Sequence, residues 1–298
     1  MPANQGRKIV PSITKYKKET FARHDPAIAL ASLFRPVTKG RRPLGVIFES
    51  THAGQSLKFK CMEGLDSRDQ SVLLTLISML GIEGGTLNSE SNGDAGKLLW
   101  SDLKPEGNAT ESNAVALTST FYAVLNQLGW GVDGKSYQRL KDCIERLSDV
   151  RCHAKANGWQ WSMQFLSYSM SDDGALNIAL NSRFAAALSG QHIRISLDER
   201  KQLNGDVAML IHAYLSAAIN AGNRLQFMVD KLAVKIWGVE TQNPATQRSR
   251  RSMLIKALEE VSKLHGWVVE FEGRGESTKA TVKRPRVIEQ KTASLEVS

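Results

Sequence analysis

The sequence predicts an α+β fold in which one unit occurs twice: a short helix, a glycine-containing turn, a second amphipathic helix and a two-stranded hairpin. Three observations predict it. Leu140, Cys143, Ile144, Leu147 and Val150 follow helical spacing, and Leu254, Ala257, Leu258, Val261 and Leu264 repeat it at a constant offset. Glycines, Gly129 and Gly238, close the short helix that precedes each of these runs. Alternating apolar runs with turn residues between them follow each run, at 159–168 and 175–180, then at 267–272 and 279–283. This order is the winged form of the helix-turn-helix. The expected architecture is therefore two tandem winged-helix domains behind a flexible basic N-terminal arm.

Taken in order, residues 1–42 are polar, basic and interrupted by Pro11, Pro26 and Pro36, which predicts the arm. Runs at 44–49 and 57–62 around His52-Ala53-Gly54-Gln55 predict a hairpin. Residues 67–80 predict a helix with Val72, Leu73, Leu76, Ile77 and Leu80 on one face, capped by Asp66 or Ser67. Gly, Ser and Asn dominate 81–96, which reads as a loop. Helices are expected at 119–128 and 136–150, with the turn Trp130–Gly134 between them. Residues 159–168 read as one strand paired with 175–180 across Asp172-Asp173-Gly174. Helices follow at 197–220, 227–237 and 245–265, and the last two strands flank Gly273–Glu276. The expected units are an arm at 1–42, winged-helix domains at 43–188 and 189–286, and a tail at 287–298.

Composition narrows the function. A chain of 298 residues with 42% hydrophobic residues has the material for two cores. The net charge of +9 points to an anionic partner, of which nucleic acid is the commonest. The charge is concentrated at the ends. Ten Lys and Arg face two Asp and Glu before Leu44, and ten face five from Ala245 to Arg286.

Other classes find no support. Three cysteines, Cys61, Cys143 and Cys152, form no CxxC pair and predict no disulfide framework, as fits a cytoplasmic protein. Cys152-His153 has no matching second half for a metal. No signal-peptide core is present, and the longest apolar run, 72–80, is interrupted by Thr75 and Ser78, so no membrane association is expected. Gly93-Asp94-Ala95-Gly96-Lys97 lacks the phosphate-loop spacing, and the six histidines form no HxH or HExxH. No catalytic residue, metal or cofactor is expected.

The candidate recognition helix opens Gln247-Arg248-Ser249-Arg250-Arg251-Ser252, with Lys256 further on. Cations at a helix N-terminus oppose its dipole, so three arginines there imply an anion. Arg and Gln side chains read guanine and adenine edges in a duplex groove. Arg248, Ser249, Ser252 and Lys256 are expected to project outward, and Arg250 and Arg251 to lie nearer the seam and grip phosphate. The hairpin adds Arg274, Lys279, Lys283 and Arg284. In the first copy Lys135, Tyr137, Gln138, Arg139 and Lys141 occupy the matching helix, and Arg41 and Arg42 end the arm.

Five segments resemble the RepC-type replication initiators of IncQ-like broad-host-range plasmids: RHDPA at 23–27, LFR at 33–35, DCIERL at 142–147, QHIRISLDE at 191–199 and GWVV at 266–269. They occur in family order from about Phe21 to Arg286. The resemblance implies binding to directly repeated origin sequences, or iterons, and opening of an adjacent AT-rich region. A plasmid-encoded helicase and primase would then load, with self-association of the initiator left open. It also implies control of plasmid copy number. The long N-terminal arm and the tail after Arg286 depart from the family pattern. A repressor acting on a plasmid operon would use the same DNA-binding chemistry and is the alternative.

Overall fold

A computed structural model describes residues 20–37, 42–91, 93–171 and 174–286. The chain begins with β1 (Phe21–His24), whose inward residues Ala22 and His24 are buried. Asp25 then caps α1 (Pro26–Leu30), accepting from the Ala27 and Ile28 amides at 2.7 and 3.0 Å, with proline at the first position where no amide is needed. This corrects the flexible arm over its described part. Ala22, Ala27, Ile28, Leu33 and Phe34 are all core residues. A single short apolar strand holding a buried histidine left too little pattern to see. Residues 1–19 and 38–41, Arg41 among them, and the tail at 287–298 lie outside the described residues, as do Asp172 and Asp173 of the expected turn.

The hairpin forms as β2 (Leu44–His52) and β3 (Gln55–Glu63). His52 pairs with Gln55, leaving Ala53 and Gly54 at φ +47° and +75° as a two-residue turn that only positive φ can close. Next, α2 (Ser67–Glu83) starts in a capping box between Asp66 and Asp69. It is more buried than its one-faced pattern predicts, because Leu74, Thr75 and Ser78 are buried as well. Helices and strands from both halves of the chain pack around it.

The expected loop at 81–96 instead holds the end of α2, β4 (Gly85–Leu87) and the start of α3 (Asp94–Asp102). After β5 (Glu106–Gly107) and β6 (Ala114–Thr120) come α4 (Phe121–Leu128) and α5 (Gly134–Ser148), as expected. The hairpin that follows is β7 (Arg151–Ala156) and β8 (Trp159–Gln164), not the pair expected at 159–168 and 175–180. Asn157-Gly158 closes it, with Gly158 at φ +70°. The run expected as one strand breaks at Phe165, which is fully buried between Phe59 and Phe184. Its continuation, β9 (Leu166–Met170), pairs with β10 (Ala175–Leu180) in a different sheet.

After α6 (Ser182–Ser189), β11 (Ile193–Ser196) pairs antiparallel with β1, joining the start of the chain to its second half. The helix expected over 197–220 is two helices, α7 (Leu197–Lys201) and α8 (Asp206–Ala218), separated at Asn204-Gly205. The helix expected from 227 is preceded by a strand, β12 (Arg224–Met228), and begins as α9 (Val229–Trp237). The chain then forms α10 (Pro244–Val261), β13 (Val268–Glu272) and β14 (Lys279–Lys283). Among the described residues four antiparallel sheets result: β1-β11, β2-β3-β7-β8-β5, β4-β6-β10-β9 and β12-β14-β13. Helix–turn–helix–hairpin thus occurs twice, as α4-α5-β7-β8 and α9-α10-β13-β14.

Two histidines make this fold acid-sensitive. His24 is fully buried with no hydrogen-bond partner on either nitrogen among the described residues. Burial pulls its pKa down to about 4, with Asp25 opposing. His212 is also lowered by burial, against its 2.7 Å hydrogen bond to the Glu199 carboxylate. The unfolded chain protonates both below about pH 6.5, whereas the folded chain resists. Stability is therefore complete above pH 6.5 and falls as pH drops towards 4, by about 3 kcal/mol from His24 at most. Urea melts from pH 7 to 4.5 should show this slope, and His24→Leu should flatten it. An unchanged slope in His24→Leu would rule out the histidine as its source.

Candidate nucleic-acid interface

The second helix–turn–helix unit is set by its core face. Val229, Leu232, Ala233 and Ile236 of α9 are buried, as are Leu254, Ala257, Leu258 and Val261 of α10. Gly238 ends α9 in the left-handed region at φ +68°, which reverses the chain towards the turn. Asn243 caps α10 by accepting from the Ala245 and Thr246 amides at 2.9 and 3.1 Å, and Pro244 takes the first position. The Gln247 side-chain Nε2 donates to the Thr241 carbonyl at 2.6 Å and braces the turn.

On the opposite face Arg248, Ser249, Ser252 and Lys256 are exposed, together with Met253. The four expected residues share one stripe because 248/252 and 249/252/256 are helical neighbours. Arg250 is half-buried. Its guanidinium lies over the Trp237 ring, 5.4 Å from the centroid, and donates to the Val239 carbonyl at 2.8 Å.

Arg251 is a correction. It points inward, where its guanidinium forms a two-pronged ion pair with Asp230 on α9, Nε to Oδ1 at 2.8 Å. It fastens the two helices and is not free to hold phosphate. The Asp230 hydrogen bond holds its pKa up. Arg251→Ala should lower stability by about 2 kcal/mol through the loosened helix pair. A urea melt matching the wild type would show that the pair contributes nothing.

The hairpin places β14 in the centre of its sheet, between β12 and β13. Ala280 and Val282 face the core, and Lys279, half-buried, and Lys283, exposed, alternate with them. Arg274 is exposed at the turn. Arg284 is a second correction. It donates to the Ser216 carbonyl, to that of Ile219 at 2.9 Å and to that of Arg194 at 2.6 Å. It closes the C-terminal end of α8 and is unavailable to a ligand. Arg224, which the sequence reading left out, is exposed on β12 directly across from Lys283. The alternation of Arg224-Leu225-Gln226-Phe227 was the signal.

In the first unit Lys135, Tyr137, Gln138 and Arg139 are exposed on α5, and Lys141 is half-buried. Tyr137 stacks on Phe121, and Arg139 lies over Trp130. Gln138 donates to Asp142 at 2.6 Å, and Lys141 lies 3.9 Å from Glu145, so this face is partly self-neutralised. Arg42 is a third correction. It pairs with Asp66 and Asp69 and donates to the Gly64 carbonyl at 2.7 Å, locking the start of α2.

Among the described residues, no three His, Cys, Asp or Glu side chains are placed to hold a metal. Within the same residues no helix is long and apolar enough to cross a membrane.

The model of the family described as Replication protein C (RepC) matches residues 16–286. The fold is similar to that of domains 2 and 3 of RctB in two crystal structures. The first has a TM-score of 0.55 at 12% identity and covers 88% of this chain and 99% of that one. The second, RctB-155-483, has a TM-score of 0.51 at 14% identity, covering 87% and 96%. At such identities the likeness is one of fold. No curated protein matches the sequence.

Proposed function

This chain belongs to the replication protein C family, and on that premise we propose that it initiates plasmid replication by binding directly repeated origin sequences through two winged-helix readers. The observation that carries the reading is the outward stripe of Arg248, Ser249, Ser252 and Lys256 on a helix whose other face is locked into a core. In this reading α10 enters the major groove, where Arg248 contacts a base edge. The hairpin residues Arg274, Lys279 and Lys283, with Arg224 beside them, lie along neighbouring phosphates.

The first reader would use Lys135, Tyr137, Gln138 and Arg139 on α5, with β7-β8 as its hairpin. It carries less free charge, so it would contribute register more than affinity. Two readers on one chain contact two parts of one repeat. Strain from several bound copies would fall on an AT-rich neighbour, where TA steps deform easily. Helicase and primase would load there. We read the chain as non-catalytic and cytoplasmic.

Footprinting of the purified chain on the origin of its own replicon tests this. Protection of tandem direct repeats beside an AT-rich tract is the expected result. Protection of a single palindrome at a promoter would instead identify a repressor, and uniform weak binding would sink both readings.

A further inference from the structure

A cleft of about 580 Å³ lies where the segment after α1 and the β2–β3 hairpin meet the end of α9 and the start of α10. Three arginines line it: Arg35, Arg42 and Arg250. Arg42 is neutralised by Asp66 and Asp69. The other two differ from it, since neither has a carboxylate partner among the described residues.

Arg35 is half-buried, with its guanidinium stacked 4.2 Å from the Phe48 ring centroid and its Nε donating to the Ser32 carbonyl at 2.9 Å. Arg250 is held in the same manner by Trp237 and the Val239 carbonyl. In each case an aromatic ring and one backbone carbonyl fix the plane of the group and leave its remaining N–H donors without a partner among the described residues. The two groups converge on one point of the backbone. Arg250 donates to Val239, and Arg35 lies so close to Gly238 that a Cβ there would meet its Cζ at 2.0 Å. Gly238 therefore serves two ends, the left-handed turn and room for a guanidinium from the other half of the chain.

Burial lowers the pKa of both groups, opposed in Arg35 by Cys61. Two preorganised, partly desolvated guanidinium groups without a counter-charge are costly in the free protein, and an anion bound between them removes that cost. Planar forks with spare donors match the two free oxygens of a phosphodiester.

We propose that Arg35 and Arg250 form a clasp for one backbone phosphate of duplex DNA. This rests on the DNA-binding reading above and adds to it a residue outside both helix–turn–helix units. Arg250 is next to Arg248 and Ser249 in the chain, so the clasped phosphate flanks the groove that α10 enters. Because Arg35 comes from the segment between α1 and β2, the contact ties the first half of the chain to the same stretch of DNA. The clasp holds position and does not read sequence.

The test uses the full chain, a random-sequence duplex, the origin duplex and a single-stranded oligonucleotide, with affinity measured against salt. Arg35→Gln should weaken both duplexes by about five- to tenfold and reduce the salt slope by about 0.9, the signature of one lost phosphate contact. The preference for origin over random duplex should stay as in wild type. Arg35→Lys should restore most of the slope, which a purely structural role would not predict. Circular dichroism melts of both variants separate a lost contact from a lost fold.

Unchanged affinity and slope in a folded Arg35→Gln would overturn the clasp while leaving specific binding by the wild type intact. A loss confined to the origin duplex, or to single strands, would overturn it too. Failure of the wild type to prefer origin over random duplex would instead sink the DNA-initiator reading itself.

Discussion

Replacing Arg248 and Lys256 together by alanine is expected to weaken binding to origin repeats by about 2–3 kcal/mol, roughly a hundredfold, with the melting curve unchanged. Both side chains are exposed on the stripe opposite the α10 core, and among the described residues neither has a protein partner whose loss would reach the fold. Most of the loss should come from Arg248, near the start of the helix, where a groove-inserted helix meets base edges. Lys256 lies two turns later and should act mainly on affinity for any duplex. The measurement is a competition between origin and random duplex at one fixed salt concentration, because affinities at different salt are not comparable. A double variant that keeps its origin preference would show that recognition lies elsewhere, with α5 the next place to look. Arg251 belongs outside this test. Its removal would disturb the helix pair and confuse a structural loss with a lost contact.

The second large effect concerns stability. Arg200 is buried in the seam between α2 and the second half of the chain. It donates from Nε to the Ser71 hydroxyl at 2.9 Å, and from its two Nη atoms to the carbonyls of Met209 and Ser67, both at 2.8 Å. Ser67 in turn donates to Asp206 at 2.7 Å, the carboxylate that balances the charge. Burial brings the Arg200 pKa down to about 9, so the group is still charged at neutral pH. Arg200→Leu would remove the buried cation that ties Ser67 and Ser71 of α2 to Met209 of α8 and would leave Asp206 without its counter-charge, and should cost about 3–5 kcal/mol. Arg200→Lys should recover only a part, because one ammonium cannot reach three acceptors in a plane. A urea midpoint for Arg200→Leu equal to that of wild type would show that water or repacking replaces the bonds.

Arg248 and Arg251 mark how far the sequence could be read. Arg248 was legible because helical spacing assigns its face once Leu254, Ala257, Leu258 and Val261 are recognised as core. The same spacing carried a warning about Arg251, which stands three and seven residues before Leu254 and Leu258, on the inner side. An arginine there needs a carboxylate partner, and Asp230 lies in another helix. Arg42 and Arg284 misled in the same way. Each is one more basic residue in a basic segment until the fold brings Asp66 and Asp69, or three carbonyls, around it. The Asn157-Gly158 turn was a local signal passed over, and it cost the position of the first hairpin.

What the sequence determined by itself was local: helix faces from apolar spacing, ends from Asp66 or Ser67, Gly129 and Gly238, the last hairpin from its turn, and the family from five short segments. Those features depend on neighbours within a few residues, so the order of amino acids specifies them. Only the tertiary structure decided that β1 pairs with β11, that Phe165 splits a strand between two sheets, and which arginines retain free donors. Each of these depends on groups far apart in the chain, and whether a charge is available to a ligand is settled by the partners that folding brings to it.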